Sequence, residues 1–322
     1  MTLPPSPQSN GWMNAKPTPP KRALLIFNPK SGKGPSPLPR FIAALGERGW
    51  HVDAEELPQK GELETLLSSA EHYSAVIAAG GDGTVSSIAY VLRNRGVPLL
   101  AYPAGTANLI AQNLNLPEDP QELAQVVDEL RAVSIDLGEL SVAGKSHGFV
   151  LLAGAGADAA MIEGAEGLKD RLGVFAYVVS ALKQLSPKTT TFHLTLDGKA
   201  QDVDAMAVMV ANFGMANFRL PIAPGVSPND GQFAVLVLKA GSVLELLPNL
   251  LDSLRAKLNL GEPVFGKNID VFSASEVEVS TEEPFPLQYD GEIHDETTPF
   301  TARVLPKAAL LLTGASQEEL ET

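Results

Sequence analysis

Residues 74–84, Ser-Ala-Val-Ile-Ala-Ala-Gly80-Gly81-Asp82-Gly83-Thr84, read as a buried strand entering a double-glycine turn that carries one carboxylate, with a helical pattern immediately behind it. That is how a phosphate site is built. Paired glycines let backbone N–H groups converge on an anion, and the helix N-terminus adds free donors and partial positive charge. A carboxylate beside a phosphate repels it unless a cation lies between them or the carboxylate takes a proton. Asp82 therefore points to Mg2+ or to base chemistry. A lone GGDG is equally compatible with a strand-to-helix turn in which Asp82 only caps the helix.

Three more turns carry polar groups of the same kind. Asn28-Pro29-Lys30-Ser31-Gly32-Lys33-Gly34 follows a strand and supplies hydroxyl, glycine and lysine, though without the spacing of a P-loop. By itself it reads as a surface turn. Pro103-Ala104-Gly105-Thr106-Ala107-Asn108 enters a helix, where Thr106 and Asn108 can hold a phosphate oxygen or a base edge, or cap that helix. Tyr289-Asp290-Gly291-Glu292 sets two carboxylates around a glycine, and an Asp-Gly pair is also a favoured hairpin turn.

The elements that must position these turns follow from periodicity. Ala23–Asn28, His51–Glu56, Ser74–Ala79 and Val97–Ala101 are short apolar runs predicted as strands. Between them, Leu38/Phe41/Ile42/Leu45, Leu63/Leu66/Leu67/Ala70 and Val85/Ile88/Ala89/Leu92 recur at helical spacing. A further helix begins at Asp119-Pro120-Gln121-Glu122, an N-cap, a first-position proline and a capping glutamate. Alternating strands and helices predict a doubly wound, mostly parallel α/β sheet. Ligands in such sheets bind beyond the carboxyl ends of the strands, so the turns at Asn28, Gly80 and Pro103 should share one rim.

After about Val133 the pattern turns β-rich. His193–Leu196, Met206–Ala211, Phe233–Leu238, Val271–Phe272 and Val277–Val279 predict an antiparallel sandwich, with helical insertions at Lys169–Leu185 and Ser242–Leu258. The expected division is a proline-rich disordered arm at 1–21, a nucleotide-binding α/β domain at 22–135, a β-rich substrate domain at 136–312 whose last strand could return to the first domain, and a flexible tail at 313–322. No low-complexity linker separates the halves, which predicts a tight hinge near Asp136.

Composition narrows the partners. With 322 residues the chain can hold two domains and a cleft between them. The absence of cysteine excludes disulfides and thiolate metal sites and fits a reducing cytoplasm. A formal net charge of −14 argues against nucleic acid and against broad adhesion to anionic lipid. No stretch approaches the ~18–20 apolar residues of a membrane-spanning helix, so a soluble protein is expected.

Taken in order, Asn-Pro-x-Ser-Gly, GGDGT, P-x-GT-x-N and a distal D-G-E resemble the diacylglycerol kinase-like lipid kinase family, particularly its soluble bacterial members. The resemblance runs from about Arg22 to Leu312 and is supported by Val133–Gly138, Gly154–Asp158, Asn212 and Pro221–Gly231. It implies ATP-dependent phosphorylation of a lipid hydroxyl. Carried over by position, Asn28, Ser31, Gly80, Gly81, Asp82, Gly83, Thr84, Gly105, Thr106 and Asn108 would hold ATP. Asp82 would sit in a Mg2+ network that Asp136 helps to organise, and Glu292 would be the general base. A second, structural Mg2+ would lie at Asp230 with the carbonyls of Ser227 and Gln232.

The acceptor's tails would need an apolar slot, for which Phe213, Met215, Phe218 and the 174–185 helix with Phe175 and Tyr177 are candidates, or plain core. The implied partners are ATP and a lipid alcohol at the inner membrane face, with a homodimer left open. Two departures bear on the substrate. Bacterial members commonly carry aspartate after the GT-x-N asparagine, where this chain has Leu109. They often show Asn and Glu after GGDGT, where it has Ser86 and Ser87. NAD kinases and 6-phosphofructokinases also use GGDGT, and a non-catalytic lipid- or nucleotide-binding protein is a third reading.

Overall fold

The computed structural model describes residues 21–32, 37–59, 61–156, 189–212, 228–239, 269–290 and 292–315, with the backbone alone at 292 and 293. The first half runs β1 (Arg22–Phe27), α1 (Leu38–Glu47), β2 (His51–Glu56), α2 (Leu63–Leu66), β3 (Ala75–Gly80), α3 (Asp82–Val91), β4 (Leu99–Pro103), α4 (Leu109–Asn113) and α5 (Pro120–Glu129). The second half is all strand among the described residues. Its first members are β5 (Ala132–Val142), β6 (Lys145–Phe149), β7 (Leu152–Gly156), β8 (Thr190–Leu196), β9 (Lys199–Ala205) and β10 (Ala207–Ala211). It continues with β11 (Phe233–Leu238), β12 (Ile269–Ala274), β13 (Glu276–Thr281), β14 (Pro286–Tyr289), β15 (Glu292–Thr297) and β16 (Phe300–Leu312).

β2, β1, β3 and β4 pair in parallel in that order. β3, Ala-Val-Ile-Ala-Ala-Gly, is buried along its whole length, as a central parallel strand covered on both faces must be. Successive residues of β1 split between two apolar layers. Leu24 and Ile26 pack with Ile88, Leu92 and Ile110 on one face, while Ala23 and Leu25 pack with Phe41, Leu45 and Val127 on the other. β2 is the sheet edge and carries Asp53, Glu55 and Glu56 there, charges that discourage pairing with another chain. α5 starts as its sequence predicts, with the Asp119 carboxylate accepting from the N–H groups of Gln121 and Glu122 at 2.9 and 3.2 Å.

Two expectations change. The helix predicted over Leu63–Ala70 stops as α-helix at Leu66 and continues as a 3-10 turn over Leu67–His72, with Ser69 outside helical angles. Ser68 and Ser69 compete with the helix for their own backbone groups. The expected hinge near Asp136 is instead an unbroken strand, β5, paired with β16 on both sides of that residue. β16 joins the halves, since its end lies parallel to β4 at Leu311–Leu99 and its beginning is antiparallel to β13. One ten-stranded sheet therefore runs through both halves, and a six-stranded antiparallel sheet, β12-β11-β10-β7-β14-β15, packs on its far end. The predicted insertions at 169–185 and 242–258 lie outside the described residues.

Candidate active site

The turns after β1, β3 and β4 meet at the carboxyl ends of three neighbouring parallel strands, so they share one rim. Asn28 closes the first. Its N–H donates to the Ala79 carbonyl at 2.9 Å, its carbonyl accepts the Ser31 N–H at 3.0 Å, and its side-chain oxygen accepts the Lys30 N–H at 3.0 Å. Asn28 Nδ2 also donates to Thr84 Oγ1 at 3.3 Å, tying this turn to the first turn of α3. Gly32, at φ +83°, brings the same turn against the third, where an added Cβ would lie 2.8 Å from the Ala104 carbonyl oxygen.

The third turn is held by Asn108, which accepts the Gly105 N–H at 2.7 Å and donates to the Gly105 carbonyl at 3.0 Å from a left-handed backbone. Thr106 stands exposed at the tip. Gly105 and Gly81 form the tightest contact between turns: a Cβ on Gly105 would sit 2.6 Å from the Gly81 Cα. Gly105→Ala must therefore push the GGDGT turn aside. We expect about a tenfold loss of nucleotide affinity from this variant, measured by calorimetry with ATP and Mg2+.

Asp82 lies half-buried at the start of α3. Its Oδ1 accepts the Ile110 N–H at 2.9 Å and its Oδ2 the Leu109 N–H at 3.1 Å, so it caps α4 across the rim rather than its own helix. Burial pushes this carboxyl above the ordinary range, and the backbone donors pull against that only in part. Leu109 packs into the apolar layer beneath α3 and α4.

Asp136 sits away from the three turns, in β5, opposite the register slip of β16. Its Oδ1 accepts the Lys307 N–H and its Oδ2 the Gly231 N–H, each at 2.7 Å, and its own N–H donates to the Pro228 carbonyl at 2.7 Å. It thus fastens the 228–231 loop to the sheet. On that loop Asp230 accepts the Gln232 N–H at 3.0 Å and stands exposed. Ser227, Phe213, Met215, Phe218, Phe175 and Tyr177 lie outside the described residues.

Asp290 follows β14, which pairs antiparallel with β15, and Glu292 is the register partner of Tyr289 at the start of β15. Asp290 is not solvated as a hairpin aspartate would be. It is 5% exposed and accepts the N–H groups of Val150, Leu151 and Leu152 at 2.8, 2.8 and 3.2 Å. Burial outweighs these donors and pushes its carboxyl up to about 6. The folded state then binds this proton more tightly than the unfolded chain. The stabilisation is full below about pH 4 and is lost as pH rises to about 6, for about 3 kcal/mol in all. Urea midpoints of the wild type and Asp290→Asn across pH 4–6.5 should show that loss in the wild type alone.

Asn212 was not singled out for a role by its sequence. It is fully buried, and its Nδ2 donates to the carbonyls of Asp136 and Val150, both at 2.9 Å. A polar residue directly after the apolar run Ala207–Ala211 was the only local signal.

Comparison with known proteins agrees with this geometry along nearly the whole described chain. Residues 22–140 match the diacylglycerol kinase catalytic domain, and residues 152–313 match the YegS C-terminal NAD kinase beta sandwich-like domain. The chain belongs to the diacylglycerol kinase-like family. An uncharacterised protein of Synechocystis sp. is 30% identical over 313 residues, covering 89% of this chain and 69% of the relative. A diacylglycerol kinase of Bacillus subtilis is 28% identical over 282 residues, covering 84% and 90% respectively. The crystal structure of a Bacillus anthracis diacylglycerol kinase has the same fold, with a TM-score of 0.69 at 22% identity over 91% of this chain and 97% of that one. Membership in this family supports lipid kinase activity in general and implies ATP as phosphate donor. No helix among the described residues is long and apolar enough to cross a membrane.

Proposed function

We propose that this diacylglycerol kinase-like protein is an ATP- and Mg2+-dependent kinase that phosphorylates a hydroxyl of diacylglycerol or a related lipid alcohol. The observation that carries this reading is the rim itself: three glycine-bearing turns from adjacent strand ends, stitched together by Asp82 and by the Gly81–Gly105 contact. Phosphoryl transfer asks a protein mainly for positioning and charge neutralisation, and backbone donors converging on one place supply the first.

The residues fit a divalent cation. Asp82 is a half-buried carboxylate whose partners among the described residues are backbone N–H groups, so a cation between it and a nucleotide phosphate would offset both charges. Each of its oxygens accepts one N–H and retains a lone pair for such a contact. Bound there, Mg2+ would neutralise the charge developing on the transferred group. Asn28, Ser31, Gly80–Thr84, Gly105, Thr106 and Asn108 would hold and orient the triphosphate. Asp136 would organise the junction, and Asp230 with Ser227 and Gln232 would hold a second, structural ion.

Glu292 would accept the proton of the lipid hydroxyl as its oxygen bonds to the γ-phosphorus and the bond to the ADP oxygen breaks. A peripheral encounter with the membrane surface would bring the acceptor to the site. Nucleic acid is not a partner in this reading, given the net charge of −14.

A second reading, a non-catalytic lipid- or nucleotide-binding protein, draws on Leu109: the position after the GT-x-N asparagine, where the resemblance leads one to expect an aspartate, is apolar and packed. The deciding experiment is phosphate transfer by purified protein with ATP and Mg2+. The acceptors are mixed micelles of diacylglycerol, monoacylglycerol, ceramide, sphingosine and phosphatidylglycerol, with NAD+ as a separate acceptor. A labelled lipid that disappears with Asp82→Ala supports the kinase and names its acceptor. ATP binding without label in any acceptor moves the conclusion to the non-catalytic reading.

A further inference from the structure

Among the described residues, Ser86, Asp136, Asn212 and Asp290 are polar side chains buried at the junction of the two halves, from 0% to 5% exposed. Two of them, Asn212 and Asp290, converge on residues 150–152, where β6 gives way to β7. The three N–H groups of that segment all enter the Asp290 carboxylate. Its three carbonyls are also taken: Val150 accepts Asn212 Nδ2, Leu151 accepts the Asn212 N–H and Leu152 accepts the Asp290 N–H, each at 2.9 Å. Two residues therefore saturate three consecutive peptides.

Closing a hairpin does not require this. An exposed Asp-Gly turn would do so without burying a carboxylate, and burying one is costly unless its bonds serve something else. The Ser86 hydroxyl, from the second turn of α3, lies beside Asp290 and lowers its pKa against the desolvation, although it makes no hydrogen bond of good geometry. Glu292 follows Asp290 by two residues.

We propose that Asp290 is a positioning residue: through residues 150–152 it pins the end of β14 to β7 and so fixes the register of β15, at whose start Glu292 stands. This rests on the kinase reading above for what is positioned. With three N–H groups bound and 5% exposure, Asp290 is committed to the backbone and is not the base itself.

The test compares wild type with Asp290→Asn, which keeps the shape but turns an NH2 toward one of the three donors. In lipid-kinase assays kcat should fall about 100-fold while KM for ATP stays within about threefold, because small misplacements of a reacting group cost rate rather than nucleotide binding. Amide exchange at residues 150–152 should speed up at least about tenfold, with β3 unchanged. Should Asp290→Asn fold poorly, Asn212→Ser removes the side-chain bonds to the carbonyls of Asp136 and of Val150 on the same segment, and the same pattern is expected from it at about tenfold in kcat.

Wild-type kcat in Asp290→Asn, or unchanged exchange at 150–152, overturns the proposal. So does a uniform rise in exchange across the sheet, the mark of a merely structural residue. If the wild type itself turns over no lipid, the kinase reading fails by that result alone. The exchange data still decide whether Asp290 locks the segment.

Discussion

Glu292→Gln is expected to lower lipid-dependent turnover by about 100- to 10,000-fold while leaving ATP affinity within about twofold. A lipid alcohol has a pKa far above 7, so its oxygen attacks phosphorus effectively only as its proton leaves, and a carboxylate in reach supplies that acceptor. Glutamine preserves size and polarity but accepts no proton at neutral pH. The rim turns are built from β1, β3, β4 and the helices behind them, far along the chain from residue 292. Initial rates at saturating ATP, paired with calorimetric ATP binding, separate the two quantities. Turnover within about tenfold of wild type would remove Glu292 from the role of base.

Asp136→Ala should lower the free energy of unfolding by about 3–4 kcal/mol, read as a lower urea midpoint with little change in slope. The wild-type carboxylate meets two backbone N–H groups at 2.7 Å, one from the 228–231 loop and one from the β16 irregularity at Lys307. Hydrogen bonds to a charged acceptor contribute about 1.5–3 kcal/mol each, and alanine leaves both donors without it. Asp136→Asn, which retains one accepting oxygen, should cost about half as much. A loss below about 1 kcal/mol for alanine would mean that water replaces the carboxylate, and that the loop and the sheet are not fastened there.

Both variants concern residues whose types were plain in the sequence and whose surroundings were not. β2 and β11 fall where local periodicity places them, and Asp119 caps α5 through donors two and three residues away. The three turns share a rim because parallel strands separated by helices must present their carboxyl ends together. All of this is set by contacts within one or two elements, so fold class, family and the convergence of the three turns on one rim could be read from the chain itself.

Tertiary structure alone decided which role each acidic residue plays in the fold. Asp82 could cap its own helix or another; it caps α4, because the Gly81–Gly105 contact brings the N-terminus of that helix within reach. Asp290 carries the local signature of a surface hairpin, yet the pairing of β14 with β7 places it beneath residues 150–152, some 140 positions earlier in the chain. Asp136 stood at an expected hinge, and the long pairing of β5 with β16 made that hinge a continuous strand. Strand register between distant segments is chosen by the packing of the whole sheet and leaves no periodic trace in either segment. The residue types determined what chemistry is available, and long-range pairing determined which carboxylates hold the backbone.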